Sequence, residues 1–156
     1  MIKHYMNAIH PECGKKVEIY KDIIITPFYT EDFCDYLVDI AKYFDGRFIE
    51  HIKYKNDNET NDTPPWNVLH MCHISQILFE DFCGHYKKFV LPLIHKHFIC
   101  SGIDAWYSPF IVKYDKPGQN VDLHNDTSRF TLNVKLNTDY EGAKLNFPRQ
   151  EWSNKD

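Results

Sequence analysis

No two cysteines in this chain are separated by two residues, and their total of five (Cys13, Cys34, Cys72, Cys83, Cys100) is odd. Such a set builds neither a disulfide framework nor a paired-thiol zinc site, so the thiols are read as reduced. There is no run of 18 apolar residues, which excludes a helical membrane span. Met1 to Tyr20 carry charges throughout and contain no apolar signal-peptide core, so the expected setting is cytoplasmic. Arginine is scarce, 3 residues against 15 lysines, and the cations are scattered without a block. With a formal charge of −4 and a pI near 6.1, binding of nucleic-acid phosphates is excluded as the main function.

What is present describes an ordinary core-forming chain. Its 156 residues fit one domain, 1–156, and 43% hydrophobic against 26% charged residues is the balance of a folded protein. Residues 17–25 (VEIYKDIII) are β-branched and aromatic and predict a strand that Pro27 closes. Thr30 has the character of a helix N-cap, with Glu31 and Asp32 in the first turn. Phe33, Leu37, Ile40, Ala41 and Phe44 then recur at helical spacing up to Gly46. A second helix is predicted from about Ser75 to Phe98, with a break or kink at Pro92. The polar stretch 54–65 between them reads as a surface loop.

From Ala105 onward the apolar period changes from helical to alternating. Residues 105–114 (AWYSPFIVKY), 121–126 (VDLHND), 129–136 (RFTLNVKL) and 145–147 read as strands, with a turn at 115–118 (DKPG) and another at 140–142. The spacing therefore predicts an α+β arrangement, in which an N-terminal part (17–104) packs its helices on one face of a curved sheet (105–150). In the strand 129–136, Phe130, Leu132, Val134 and Leu136 face one way, and Thr131, Asn133 and Lys135 the other. The polar face either meets solvent or lines a pocket.

Two groups have metal-ligand character. In His124-Asn125-Asp126 the imidazole and carboxylate are two residues apart, which in a strand projects both to one side. That is the disposition two ligands of a two-His-one-carboxylate iron site require. The cluster His70-Met71-Cys72-His73 offers a zinc module from His70, Cys72 and His73, but lacks the spaced second half of zinc sites. His85, His95 and His97 are read as packing or surface residues.

The segments FIVKYDKPGQ (110–119), LHNDTSRFTLNVKLN (123–137) and DYEGAKLNF (139–147) occur in an order that resembles the Fe(II)- and 2-oxoglutarate-dependent oxygenases. The similarity is to the procollagen lysyl hydroxylase and prolyl hydroxylase branch, and YEGA stands where that branch commonly shows YEGG. The resemblance implies a double-stranded β-helix (jelly-roll) core and hydroxylation of a lysyl or prolyl residue in a peptide, which is collagen-like in that branch. It implies Fe(II), 2-oxoglutarate and ascorbate as cofactors, dioxygen as co-substrate, and a peptide or protein partner. His124 and Asp126 would be two of three iron ligands. Tyr114 would hydrogen-bond the cosubstrate unless it is a core tyrosine, and Thr131 and Asn133 would line the 2-oxoglutarate pocket. Lys135 could pair with a carboxylate. The family also uses a second His and then an Arg on later strands. No His follows Asp126, and Arg149 stands in the wrong place. The expectation is a longer native polypeptide, with the last jelly-roll strands, the second His and the Arg outside this chain. The other class of reading is a degenerate, non-catalytic jelly-roll that binds a peptide.

Overall fold

The computed structural model describes residues 4–51, 66–100, 102, 109–121, 123–126, 128–142 and 144–154. Two short strands come first, β1 (Glu18–Tyr20) and β2 (Ile23–Ile25), antiparallel with Tyr20 opposite Ile23. The single strand predicted over 17–25 is thus a hairpin. Lys21 adopts a φ of 53°, and this left-handed residue, with Asp22, reverses the chain within a run that alternation alone reads as continuous.

Helix α1 (Glu31–Tyr43) starts where the sequence indicates. The Thr30 Oγ1 accepts from the Phe33 amide at 3.4 Å and donates to the Asn7 carbonyl at 2.9 Å, so the cap also ties the helix to the N-terminal segment. Antiparallel bonds from His10 to Phe28 and from Thr30 to Ala8 continue that tie. The buried face of α1 is Phe33, Leu37 and Ile40, as the helical spacing requires.

The second predicted helix is one rod in three parts. These are α2 (Gln76–His85), a wider π-helical turn (Tyr86–Val90) and α3 (Leu91–His97). Pro92 lies in the first turn of α3 and has no amide hydrogen for the preceding turn, so the backbone widens there instead of breaking. Leu78 of α2 joins Phe28, Tyr29, Phe33, Leu37, Ile40, Met71 and Ile111 in the principal core.

A three-stranded antiparallel sheet runs β3 (Ile49–His51), β4 (Trp66–His70), β5 (Phe110–Lys113), with β4 central. Val68 and Leu69 are adjacent and both buried. Since neighbours on a strand point to opposite sides, β4 is covered on both faces. Of the strand predicted at 105–114, residues 109–114 are described and β5 takes up all but the first and last of them; 105–108 and the whole loop at 54–65 lie outside the described residues. A last hairpin pairs β6 (Asn146–Phe147) with β7 (Trp152–Ser153). Tyr20 and Trp152 approach with ring centroids 6.4 Å apart, which brings the first and last hairpins together.

Residues 121–126 and 129–136 are not strands among the described residues, contrary to the alternation. A strand needs a hydrogen-bonded neighbour, and none of the described residues supplies one here. The alternation itself is observed. Phe130, Leu132, Val134 and Leu136 are half-buried, while Thr131, Asn133 and Lys135 are exposed. Leu132, Val134 and Leu136 pack on the principal core, and the Cys34 thiol reaches the Lys135 carbonyl at 4.0 Å. The described sheets have two, three and two strands and do not close into a barrel. No helix among the described residues is long and apolar enough to cross a membrane.

Candidate metal and cosubstrate site

The chain reaches the candidate site through a tight turn after β5. The Gln119 side-chain oxygen accepts from the Asp115 and Lys116 amides at 2.7 and 2.9 Å, and Gly118 takes a φ of 81° that a Cβ would disfavour. Upstream, Lys113 bridges two carboxylates, Asp45 after α1 and Asp115 at 2.9 Å, while Asn67 of β4 donates to Asp115 at 3.3 Å. Hydrogen bonds that Lys113 donates to the two carboxylates raise its pKa, and the lysine in turn lowers that of Asp115. This network anchors the end of β5, and with it Tyr114, to the helical layer. The sequence reading did not single it out, because its members are far apart along the chain.

His124 and Asp126 do converge. His124 Nε2 donates to Asp126 Oδ1 at 3.1 Å, since a carboxylate oxygen can only accept. The other carboxylate oxygen, Oδ2, accepts from the Thr131 hydroxyl, and Ser128 Oγ lies 2.8 Å from that same hydroxyl oxygen. Four side chains from two adjoining segments therefore form one connected polar group. Ser128 was not foreseen, although its position two residues past the H-x-D triplet and three before Thr131 is the visible signal for it.

The other expected members are placed separately. Tyr114, half-exposed at the end of β5, has its phenol pKa raised by partial burial. Asn133 shares the exposed face of Thr131. No hydrogen bond among the described residues joins either one to the His124 pair. Lys135 lies over the Tyr140 ring at 5.1 Å, a cation–π contact in place of a carboxylate pairing. Around the zinc candidate, the His70 and His73 rings meet edge to face at 5.5 Å. Among the described residues no three His, Cys, Asp or Glu side chains group to hold a metal ion. None of the five cysteines forms a disulfide.

The donor set of His124 and Asp126 fits part of an iron site. Two ligand atoms, each roughly 2.1 Å from a metal and at right angles, stand about 3 Å apart. The observed 3.1 Å hydrogen bond is close to that separation, and with the ring hydrogen moved from Nε2 to Nδ1 the pair would offer one nitrogen and one carboxylate oxygen, the donor chemistry such a site uses.

This geometry is an exposed histidine–carboxylate pair braced by hydroxyls, and comparison with known proteins narrows the class of protein that carries it. The chain is similar to procollagen-lysine,2-oxoglutarate 5-dioxygenase 1 of Bos taurus and of Homo sapiens, 30% identical over 159 residues in each case. The match covers 97% of this chain and 21% of each relative. Procollagen-lysine,2-oxoglutarate 5-dioxygenase 2 of Homo sapiens is 25% identical over 154 residues, 85% of this chain and 20% of the relative. The similarity is thus to the procollagen lysyl hydroxylases, and the chain spans about a fifth of their length. No family model matches, and no solved structure matches significantly.

Proposed function

We propose that this chain carries part of the catalytic domain of an Fe(II)- and 2-oxoglutarate-dependent hydroxylase acting on a lysyl or prolyl residue of a peptide. The observation that carries the reading is the 3.1 Å convergence of His124 and Asp126, in a chain similar over 97% of its length to lysyl hydroxylases. In this reading residues 129–136 form a strand of a jelly-roll in the full polypeptide, with the apolar face on the helical core and the polar face toward the site. A second His and an Arg come from residues outside 1–156.

The roles follow from chemistry. His124 Nε2 and Asp126 Oδ1 would hold iron, which when bound couples oxidative decarboxylation of 2-oxoglutarate to hydroxylation of a substrate C–H bond, with ascorbate keeping it reduced. Tyr114 donates its phenolic hydrogen to the cosubstrate. Asn133 lies on the same polar face as Thr131 and offers both a donor and an acceptor to the oxoacid.

The test is hydroxylation of lysine- and proline-containing peptides by the full polypeptide encoded with this chain, given Fe(II), 2-oxoglutarate and ascorbate. Mass spectrometry should find a hydroxylated residue and succinate in equal amounts, both lost in His124→Ala with the fold retained. Peptide binding without product, in metal-loaded protein, would instead establish the non-catalytic jelly-roll. That alternative is favoured by the lack of a third metal-ligand side chain beside the pair among the described residues.

A further inference from the structure

Asp126 and His124 are exposed, with 44% and 56% of their side-chain surface open. Packing does little to fix the rotamer of an exposed carboxylate such as Asp126, and a metal site is weakened by the entropy of ordering its ligands. Hydrogen bonding supplies the missing restraint. Threonine has a single hydroxyl hydrogen, and Thr131 uses it on Asp126 Oδ2. The 2.8 Å contact with Ser128 therefore runs the other way, with Ser128 donating to Thr131. The result is a directed chain, Ser128 to Thr131 to Asp126 Oδ2, that leaves Oδ1 as the oxygen aimed at His124 Nε2.

The geometry points to Thr131 as a positioning residue that aims the Asp126 carboxylate, with Ser128 setting the direction of the Thr131 hydroxyl. The contact also joins the H-x-D segment to the extended segment that follows, since Thr131 lies beside Leu132, which is packed on the principal core. The carboxylate thereby acquires an anchor in the fold that its own exposed surroundings do not provide. This inference rests on the metal-site reading proposed above, and its test separates the two.

Cobalt(II) titration of the full polypeptide encoded with this chain, followed by calorimetry and by visible absorption, reads the site without turnover. Loss of an outer hydrogen-bond partner of a metal ligand weakens metal binding roughly 10- to 100-fold. Thr131→Val should weaken cobalt binding at least about tenfold, Thr131→Ser should restore it, and Ser128→Ala should cause a smaller loss. Far-UV circular dichroism of each variant should match the parent, as expected for exposed positions. If Thr131→Val binds like the parent while His124→Ala and Asp126→Asn lose cobalt, the metal site stands and the positioning role is overturned. If Ser128→Ala alone matches the parent, Ser128 drops out of the chain. If His124→Ala and Asp126→Asn also bind like the parent, or the parent binds no cobalt, the metal-site reading fails and the positioning role fails with it.

Discussion

His85 faces the core from the end of α2, its ring set edge-on to Phe33 and Tyr29, and its Nδ1 lies in hydrogen-bond contact with the Tyr29 hydroxyl at 3.4 Å. Burial lowers its pKa below the ordinary 6.5, against the opposing pull of Asp81, and Lys88 adds to the lowering. Burial also raises the pKa of Tyr29. Both groups are thus held neutral in the folded chain. A histidine that is harder to charge when folded contributes stability that is complete above its unfolded pKa and is lost as pH falls through the folded one. Urea unfolding should therefore show stability falling as pH drops below about 6.5. His85→Gln, which keeps a hydrogen-bonding group for Tyr29 but does not titrate, should flatten that fall. Equal slopes in the two proteins would exclude His85 as the source.

Among the elements, β4 is where the layers meet. Its two central residues are buried on opposite faces, Leu69 at 1% exposure and Val68 at 2%. Leu69 lies opposite Ile111 of β5, and Met71, just past the strand, reaches the Pro109 carbonyl at 2.9 Å. Truncating a leucine in such a place removes its transfer free energy and leaves a cavity that rigid neighbours do not fill. Leu69→Ala should cost roughly 2–5 kcal/mol in chemical denaturation. Lys113→Ala, on the partly exposed network at the edge of the same sheet, should cost no more than about 1 kcal/mol because solvent screens those pairs. A reversal of that order would mean that the ionic network, and not the covered strand, holds the sheet to the helices.

At the scale of the molecule, the segment bearing Thr131 and Asn133 is held by side chains more than by backbone pairing. Leu132, Val134 and Leu136 dock on the principal core while the backbone between them makes no ladder among the described residues. An acidic group in that apolar row should detach the segment selectively, because a carboxylate is not buried without a partner. In Val134→Asp, limited proteolysis should cleave within 129–136 while α1 and α2 keep their protection. Loss of protection throughout would show instead that this segment is integral to the helical core. The proposed hydroxylase reading has the same segment pair as a strand in the full polypeptide, and on that reading its amides there should be more protected from hydrogen exchange than in this chain alone.

Local pattern was enough for much of this protein. The Thr30 cap, the buried face of α1, the extent of the second helix and the inward and outward parity of 129–136 depend on interactions between near neighbours in sequence, and those are written in residue order. The two-residue spacing of His124 and Asp126 marked the same pair that the structure brings within 3.1 Å. Tertiary structure decided what distance along the chain conceals. The turn at Lys21 that divides one apolar run into a hairpin depends on a single backbone angle. The widened turn at Tyr86–Val90 reflects how the rod satisfies its backbone around Pro92. The Asp45–Lys113–Asp115 bridge joins residues that no periodicity relates. The direction of the Asp126 carboxylate was equally hidden, because one hydroxyl hydrogen on Thr131 sets it, and only coordinates show which oxygen that hydrogen faces.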